Sequence, residues 1–111
     1  MGLGDEAELA IFVREADRIV AGISGWTWGD GCELQSLWVD PSLRGRWLGP
    51  RLLAAAEAEA AARGCTQTIL FTYDFQARRL YEWAGYELVG QVEDFPSGAD
   101  VLWYRKSLNP A

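Results

Sequence analysis

The first forty positions contain short segments that are mostly apolar and are limited by charged or turn residues, as is typical of β-strands. These segments are separated by short turn sequences at residues 17–18 and 29–31. They predict three strands joined as hairpins, at residues 9–15, 19–28 and 32–39. Because side chains alternate between the two faces of a strand, four residues of the third strand are expected on one face: Glu33, Gln35, Leu37 and Val39.

The hydrophobic pattern changes to a helical period after residue 50. Residues 51–63 consist almost entirely of Ala, Leu, Glu and Arg, which are strong helix formers. Pro50 suits the first position of this helix, where its missing N–H has no partner to lose, and Gly64 suits the position just after the end. A second helix is predicted at residues 76–84, and further strands are predicted at residues 66–73, 86–92 and 101–107.

The predicted order is β-β-β-α-β-α-β-β, which indicates an α/β chain with a mixed sheet. A strand, a helix and another strand in succession require a right-handed crossover if the two strands are parallel. The strands that contain Val39 and Leu70 are therefore expected to be parallel neighbours in an otherwise antiparallel sheet. The length of 111 residues is that of one domain, so we expect a single domain over residues 1–111.

The composition excludes several classes of function. The chain has no histidine, which rules out Ser-His-Asp and Cys-His catalysis and histidine metal sites. Its two cysteines, Cys32 and Cys65, are too few for a four-cysteine zinc site and are interpreted as reduced core thiols. The net charge of −6 argues against nucleic acid binding and favours amines. We expect a cytoplasmic protein, since neither a targeting signal nor a membrane span is visible. We expect no metal, since histidine is missing and the cysteines are few.

A basic loop with two glycines joins the third strand to the first helix. It consists of Arg44, Gly45, Arg46, Trp47, Leu48 and Gly49, and Pro50 and Arg51 follow it. A helix N-terminus has unpaired backbone N–H groups and a partial positive charge, and both attract phosphate. We interpret the loop as a pyrophosphate cradle, and the alternative is a solvated turn before a helix. A Walker A lysine and a GxGxxG sequence are both missing, which disfavours nucleoside triphosphates and dinucleotides.

Two segments resemble the motifs of the GCN5-related N-acetyltransferase (GNAT) family. The first is LWVDPSLRGRWLGPRLLAAAEAEAAARGC, and the second is FTYDFQARRLYEWAGYELVG. They occur in the order and spacing of the family, and the resemblance extends over residues 9–108 and is closest to small bacterial members. It implies the GNAT-like acyl-CoA N-acyltransferase fold, acetyl-CoA as co-substrate, and a primary amine of a small molecule or a protein as acceptor.

The resemblance also implies which residues bind acetyl-CoA. In the family, pantetheine lies where two parallel strands separate, against backbone groups that here belong to Leu37, Trp38 and Val39. The pyrophosphate lies on the loop backbone, which here comprises Arg44, Gly45, Arg46, Trp47, Leu48, Gly49 and Pro50. Gln76 and Ala77 occupy positions that contact the pantetheine arm, and Asp74 or Gln76 replaces a frequent asparagine.

Trp47 departs from the family pattern, which has glycine at this position. Its large side chain either crowds the pyrophosphate or turns outward and stacks on the adenine. Two other tryptophans, Trp38 and Trp83, are expected in the core. Trp26 and Trp28 alternate on one face and are expected to form a wall of the acceptor site, part of the core or an interface.

Two side chains are candidates for proton transfer. Tyr81 matches the tyrosine on the last helix of the family, whose phenol protonates the departing CoA thiolate. Glu33 lies at the strand position of the catalytic glutamate in the histone-acetylating branch, so it is the candidate base. The backbone N–H of Val39 is the candidate oxyanion donor. The alternatives are a core aromatic residue at Tyr81 and a solvent-facing strand residue at Glu33.

The start of the chain also differs from the family. Members usually have one more strand and one or two helices before the first hairpin, and here about eight residues precede it. The acceptor site is then either wide open, as a protein amine would need, or covered by a second subunit, and we expect a homodimer. The alternatives to an enzyme are a non-catalytic CoA-binding or protein-interaction module and a purely structural domain.

Overall fold

The computed structural model describes residues 6–73 and 75–109, apart from the side chains of Phe75 and Gln76. The strands are β1 (Ala7–Glu15), β2 (Arg18–Trp28), β3 (Gly31–Val39), β4 (Gln67–Thr72), β5 (Glu87–Val92) and β6 (Val101–Ser107). The helices are α1 (Leu48–Ala62) and α2 (Phe75–Trp83), and a short 3-10 turn at Pro41–Leu43 follows β3. The observed order confirms the predicted β-β-β-α-β-α-β-β arrangement.

The six strands form one mixed sheet in the order β1-β2-β3-β4-β6-β5. All neighbouring strands are antiparallel except β3 and β4, which are parallel as the crossover through α1 requires. The parallel ladder joins residues 31–34 to residues 67–70, whereas β3 continues to Val39. The second half of β3 is therefore separated from β4, and Val39 lies beyond the paired part.

A β-bulge in β3 corrects the predicted distribution of its side chains. The residues before and after Gln35 lie opposite consecutive residues of β2, so Gln35 is an extra residue on β3. The alternation shifts there by one position, and both Leu34 before the bulge and Leu37 after it pack in the core. Glu33 and Leu37 consequently lie on opposite faces of the sheet, although their spacing predicts one face.

Two glycines of β2 occur where a side chain has no room. A Cβ on Gly25 would collide with the carbonyl oxygen of Glu33, next to the bulge. Gly22 faces the other side of the sheet, and a Cβ there would lie 2.8 Å from the ring of Phe12, which is opposite it on β1. Close backbone and ring contacts therefore explain why glycine interrupts this strand.

Both helices pack on one face of the sheet and cover the core. The small side chains of α1 let it lie close to the strands, and its buried residues are Leu52, Leu53, Ala56 and Ala60. They join Tyr81 of α2 and the fully buried strand residues Leu9, Leu102 and Tyr104 in one cluster. Neither described helix has the length and apolar character needed to cross a membrane.

Helix α1 begins at Leu48, three residues earlier than predicted, so Pro50 is its third residue. This is compatible with proline because the N–H groups of the first helical turn have no intrahelical partner. Gly64 follows the helix with φ of 87°, which confirms the predicted end.

The opposite face of the sheet is rich in aromatic side chains, and none of the described helices covers it. Trp26 and Trp28 alternate on this face, as expected. Trp38 lies on it as well and is 43% exposed, and Trp83 on α2 is 68% exposed. The predicted core positions of Trp38 and Trp83 are therefore wrong, since the bulge directs the former outward and the latter lies on the outer side of its helix.

Candidate active site

Asp40 holds the start of the loop that joins β3 to α1. Its carboxylate accepts hydrogen bonds from the backbone N–H (2.9 Å) and the hydroxyl (2.7 Å) of Ser42, and from Arg18 (3.1 Å). These hydrogen bonds, first those from Ser42 and then the Arg18 charge, hold the pKa of Asp40 below its usual range. Leu43 is buried beneath the loop. The first half of the loop is therefore anchored by Asp40 and by Leu43.

The second half of the loop contains two residues with left-handed backbone, Gly45 (φ 86°) and Trp47 (φ 61°). Glycine adopts this conformation freely, whereas for other residues it costs about 1–2 kcal/mol. Trp47 caps α1 without a side-chain hydrogen bond, and the first turn of the helix contains no acidic residue. The backbone N–H groups of Leu48 and Gly49 therefore lie at a helix N-terminus without a competing carboxylate.

A cleft of about 550 Å³ lies beside this loop, between the end of β3 and the two helices. Most of the residues predicted to bind acetyl-CoA line it: Leu37, Trp38, Val39, Arg44, Gly45, Trp47, Leu48, Gly49 and Pro50. Arg46 does not line the cleft, because its guanidinium forms an ion pair with Glu15 at 3.4 Å. Leu80 of α2 lines it as well, and sequence analysis missed this residue.

The indole of Trp47 packs against Trp83 of α2. Their ring centroids are 6.0 Å apart at an interplanar angle of 46°. Trp47 is 66% exposed, so its side chain forms part of the rim of the cleft. The sequence left two orientations of the Trp47 side chain open, and the structure has the outward one.

A small cavity of about 30 Å³ lies where β3 and β4 separate. Tyr81 lines it together with Gln35, Leu37 and Phe71. The Tyr81 side chain is buried, and its ring packs against those of Tyr86 and Tyr104 at centroid distances of 6.0 and 6.1 Å. The last helix thus positions Tyr81 at the gap in the sheet.

A larger cleft of about 850 Å³ lies on the open face of the sheet. Glu33 lines it, and the amide of Gln35 donates to the Glu33 Oε1 atom at 3.4 Å. The other lining side chains include Trp26, Trp28, Ile69, Val89, Trp103 and Arg105. Of these, sequence analysis considered Trp26 and Trp28 and missed the rest, although Ile69 alternates with the buried Leu70 in the fourth strand.

The three cavities share lining residues near the gap between β3 and β4. Leu37 lines both the cleft beside the loop and the small cavity, and Gln35 lines both the small cavity and the open-face cleft. Because of the bulge at Gln35, Leu37 faces the helices whereas Glu33 faces the open side of the sheet. Two molecules that approach from opposite faces of the sheet would therefore meet near Gln35 and Tyr81.

The remaining candidates occupy distinct positions. Ala77 is partly buried against the core, while Asp74 and the side chain of Gln76 lie outside the described residues. Cys32 and Cys65 are buried free thiols, as expected, and burial raises the pKa of Cys32 to about 11 and also raises that of Cys65. Within the described part of the chain, no cluster of three or more Cys, Asp or Glu side chains could hold a metal ion.

Comparison with known proteins places this architecture in a family. Residues 2–86 match the model of the acetyltransferase (GNAT) family. An acetyltransferase of Agrobacterium fabrum is 34% identical over 106 residues, which are 95% of this chain and 77% of that protein. A blasticidin-S acetyltransferase of Streptomyces morookaense is 39% identical over 88 residues, 76% of this chain and 62% of that protein.

The fold comparison agrees. The crystal structure of an acetyltransferase from Bacillus cereus superimposes with a TM-score of 0.88 and 31% identity, over 94% of this chain and 75% of that one. The family match alone covers the loop, the separated strands and the whole of the second helix. The chain belongs to the acetyltransferase (GNAT) family and is an acetyl-CoA-dependent N-acetyltransferase.

Proposed function

We propose that this enzyme moves the acetyl group to a primary amine by direct attack, with the two substrates on opposite faces of the sheet. The observation that carries this proposal is that the small cavity at the gap between β3 and β4 shares Leu37 with the cleft beside the loop and Gln35 with the cleft on the open face. Acetyl-CoA occupies the cleft beside the loop, and the amine occupies the cleft on the open face. A ternary arrangement of this kind needs no acetylated protein side chain, and the buried, neutral thiols of Cys32 and Cys65 agree with that.

The loop holds the pyrophosphate of acetyl-CoA through its backbone and its positive charge. The N–H groups of Leu48 and Gly49 lie at the N-terminus of α1, and Arg44 adds charge at the rim of the cleft. Pantetheine follows the unpaired half of β3 along Leu37 and Val39. The thioester then reaches the small cavity that Tyr81 lines.

Proton transfer follows from the positions of two side chains. The amine nitrogen attacks the thioester carbonyl carbon, and the proton it loses passes to Glu33 directly or through water. The backbone N–H of Val39 donates to the developing oxyanion. As the C–S bond breaks, the phenol of Tyr81 gives its proton to the CoA thiolate. The base and the acid thus act from opposite sides of the sheet.

Calorimetric titration tests the cofactor part of this proposal. Acetyl-CoA and CoA are titrated into the protein, with ATP as the control for nonspecific phosphate binding. We expect micromolar binding of acetyl-CoA and CoA and none of ATP. Equal binding of ATP, or no binding of acetyl-CoA, would contradict the assigned cleft. Binding without acetyl transfer to any amine would instead favour a non-catalytic CoA-binding module.

The acceptor panel follows from the relatives. One relative is named as a blasticidin-S acetyltransferase, so blasticidin S belongs among the amines to be tried. Acetyl transfer is measured as the release of free CoA thiol. Acetylation of one amine well above the others would identify the acceptor class.

We also propose that residues 1–111 form one domain that dimerises in the cytoplasm. Support for the dimer comes from an apolar groove of about 290 Å³ on the open face, lined by Phe71, Tyr73, Val92, Phe95, Val101 and Trp103. Phe95 is largely exposed there, and apolar patches of this kind mark interfaces. Sedimentation equilibrium should give twice the chain mass, and Phe95→Ser should weaken the association. A monomer at micromolar concentration would contradict the dimer.

A further inference from the structure

The open-face cleft has apolar and aromatic walls. Trp26 and Trp28 line it from β2, Trp103 from β6, and Ile69 from β4 between them. Trp26 and Trp28 are 43% and 47% exposed, so a large part of each indole is accessible to a ligand. A flat, apolar group would bury more of this surface than a hydroxylated one could.

Two glycines leave space in the same cleft. Gly31 on β3 and Gly90 on β5 both line it. A Cβ on Gly31 would approach no atom closer than 3.6 Å, and a Cβ on Gly90 would meet only the Trp103 Cβ, at 4.0 Å. The missing side chains widen the floor beneath the aromatic walls, which suits a planar ring.

Glu33 lies directly among these apolar side chains. It is opposite Trp26 on β2 and opposite Ile69 on β4, so the three side chains stand side by side on one face. Neighbouring strands are about 4.8 Å apart, a distance that a two-carbon chain between an amine nitrogen and an aromatic ring can span. The hydrogen bond from Gln35 steadies the Glu33 carboxylate at this position.

The charges of the cleft suit one ammonium group rather than several. Its described lining contains two carboxylates, Glu6 and Glu33, and one guanidinium, Arg105. Arg105 forms an ion pair with Glu87 at 3.4 Å, and Glu6 lies exposed at the start of the described chain. A ligand with several ammonium groups would leave most of its charges without a partner next to apolar walls.

We infer that the acceptor is an arylalkylamine, a small primary amine with one ammonium group on a short chain attached to an aromatic ring. This inference rests on the proposed function, because it assigns the open-face cleft to the acceptor. The ammonium group pairs with the Glu33 carboxylate, and the ring packs between Trp26 and Ile69. The indole face of Trp26 adds a cation–π contribution to the pairing.

A panel of amines tests the substrate class. The measured quantity is kcat/KM for CoA thiol release with 2-phenylethylamine, its saturated analogue 2-cyclohexylethylamine, spermidine, kanamycin, blasticidin S and a peptide with a free N-terminus. We expect 2-phenylethylamine to exceed spermidine, kanamycin and the peptide by about tenfold, because their additional polar or charged groups lack partners in the cleft, and to exceed the saturated analogue by about threefold, because only the aromatic ring makes aromatic contacts. A higher kcat/KM for spermidine, kanamycin, blasticidin S or the peptide than for 2-phenylethylamine would overturn the inference.

Matched variants test the position of the ring. Trp26→Leu should raise the KM for 2-phenylethylamine about fivefold or more, with a smaller effect on kcat. Phe12→Leu is the control, since Phe12 lies on the same face with similar exposure, 51%, but outside the cleft. Ile69→Ala provides a second variant if Trp26→Leu fails to fold, since Ile69 is the other side chain against which the ring packs. An unchanged KM in a folded Trp26 or Ile69 variant would overturn the assigned orientation.

Direct binding separates the two ways in which this experiment can fail. The protein is first saturated with CoA, and 2-phenylethylamine is then titrated calorimetrically. If acetyl-CoA and CoA do not bind, the proposed function itself fails. If CoA binds and the loaded protein does not bind 2-phenylethylamine, the acceptor inference is overturned, whichever other amine is acetylated.

Discussion

Trp47 and Trp83 pack against each other at the rim of the cleft beside the loop, with ring centroids 6.0 Å apart. Trp47 has left-handed backbone (φ 61°), a conformation that glycine adopts far more readily than tryptophan. Trp47 therefore combines a ring contact with α2 and a strained backbone. It lies in the loop that we propose binds the pyrophosphate. The large residue remains compatible with the cleft because its ring lies against Trp83 and not across the loop backbone.

Two substitutions separate the backbone strain at Trp47 from its ring contact. Trp47→Ala removes the contact and keeps the strain, whereas Trp47→Gly removes both. We expect the glycine variant to be about 1 kcal/mol more stable than the alanine variant, because only glycine adopts positive φ freely. Chemical denaturation of the two variants measures the difference. Equal stabilities would show that the left-handed conformation at this position carries no cost.

Tyr81→Phe tests the general acid. Loss of the phenolic proton should lower kcat about 100-fold and leave the Kd for acetyl-CoA nearly unchanged, because the ring still packs between Tyr86 and Tyr104. Steady-state kinetics and calorimetry measure the two quantities.

Tyr104→Phe is the matched control for this substitution. It removes a hydroxyl that donates to Glu82 at 2.9 Å, in the same aromatic cluster but away from the gap between the strands. We expect a modest loss of stability, about 1 kcal/mol, with kcat largely retained. A similar fall of kcat in both variants would assign the effect to packing and not to proton transfer.

Glu33→Gln tests the base through the pH dependence of the rate. An alkylamine of pKa about 10.4 is mostly protonated at neutral pH, so removal of the base should lower kcat/KM by about 10- to 100-fold there. The deficit should shrink as the pH rises towards the pKa of the amine, since the free base then forms without help. Glu93→Gln, at an exposed position just after β5, serves as control and should leave the profile unchanged. A pH-independent deficit in Glu33→Gln would contradict its role as the base.

Asp40 links the stability of the loop to acid pH. Its pKa is lowered in the folded protein by the Ser42 hydrogen bonds and by Arg18, so its contribution is present above the ordinary Asp pKa of 3.8. That contribution is lost as the pH falls through the lower, folded-state pKa. The melting temperature of Asp40→Asn should therefore lie below that of the wild type at pH 6, and the difference should narrow below about pH 4. A difference that stays constant down to pH 2.5 would contradict this linkage.

The local pattern of the sequence determined the element order, the parallel pair and the place of the basic loop. These features depend on interactions between residues close in the chain, so they can be predicted without the fold. They include the apolar pattern of the strands, the helix-forming run after Pro50 and Gly64 at its end. The resemblance of two motifs then identified Tyr81 and the loop residues as candidates, and the folded chain places Tyr81 at the gap between β3 and β4.

Tertiary structure alone decided which face the residues of β3 occupy. The extra residue at Gln35 depends on the pairing of β3 with β2, where Gly25 allows close approach, and alternation within β3 carries no sign of it. That single bulge separates Glu33 from Leu37 and directs Trp38 outward. Likewise, the outward orientation of Trp47 follows from its contact with Trp83, a residue on another helix. Long-range pairing and packing set these positions, and local preferences do not encode them.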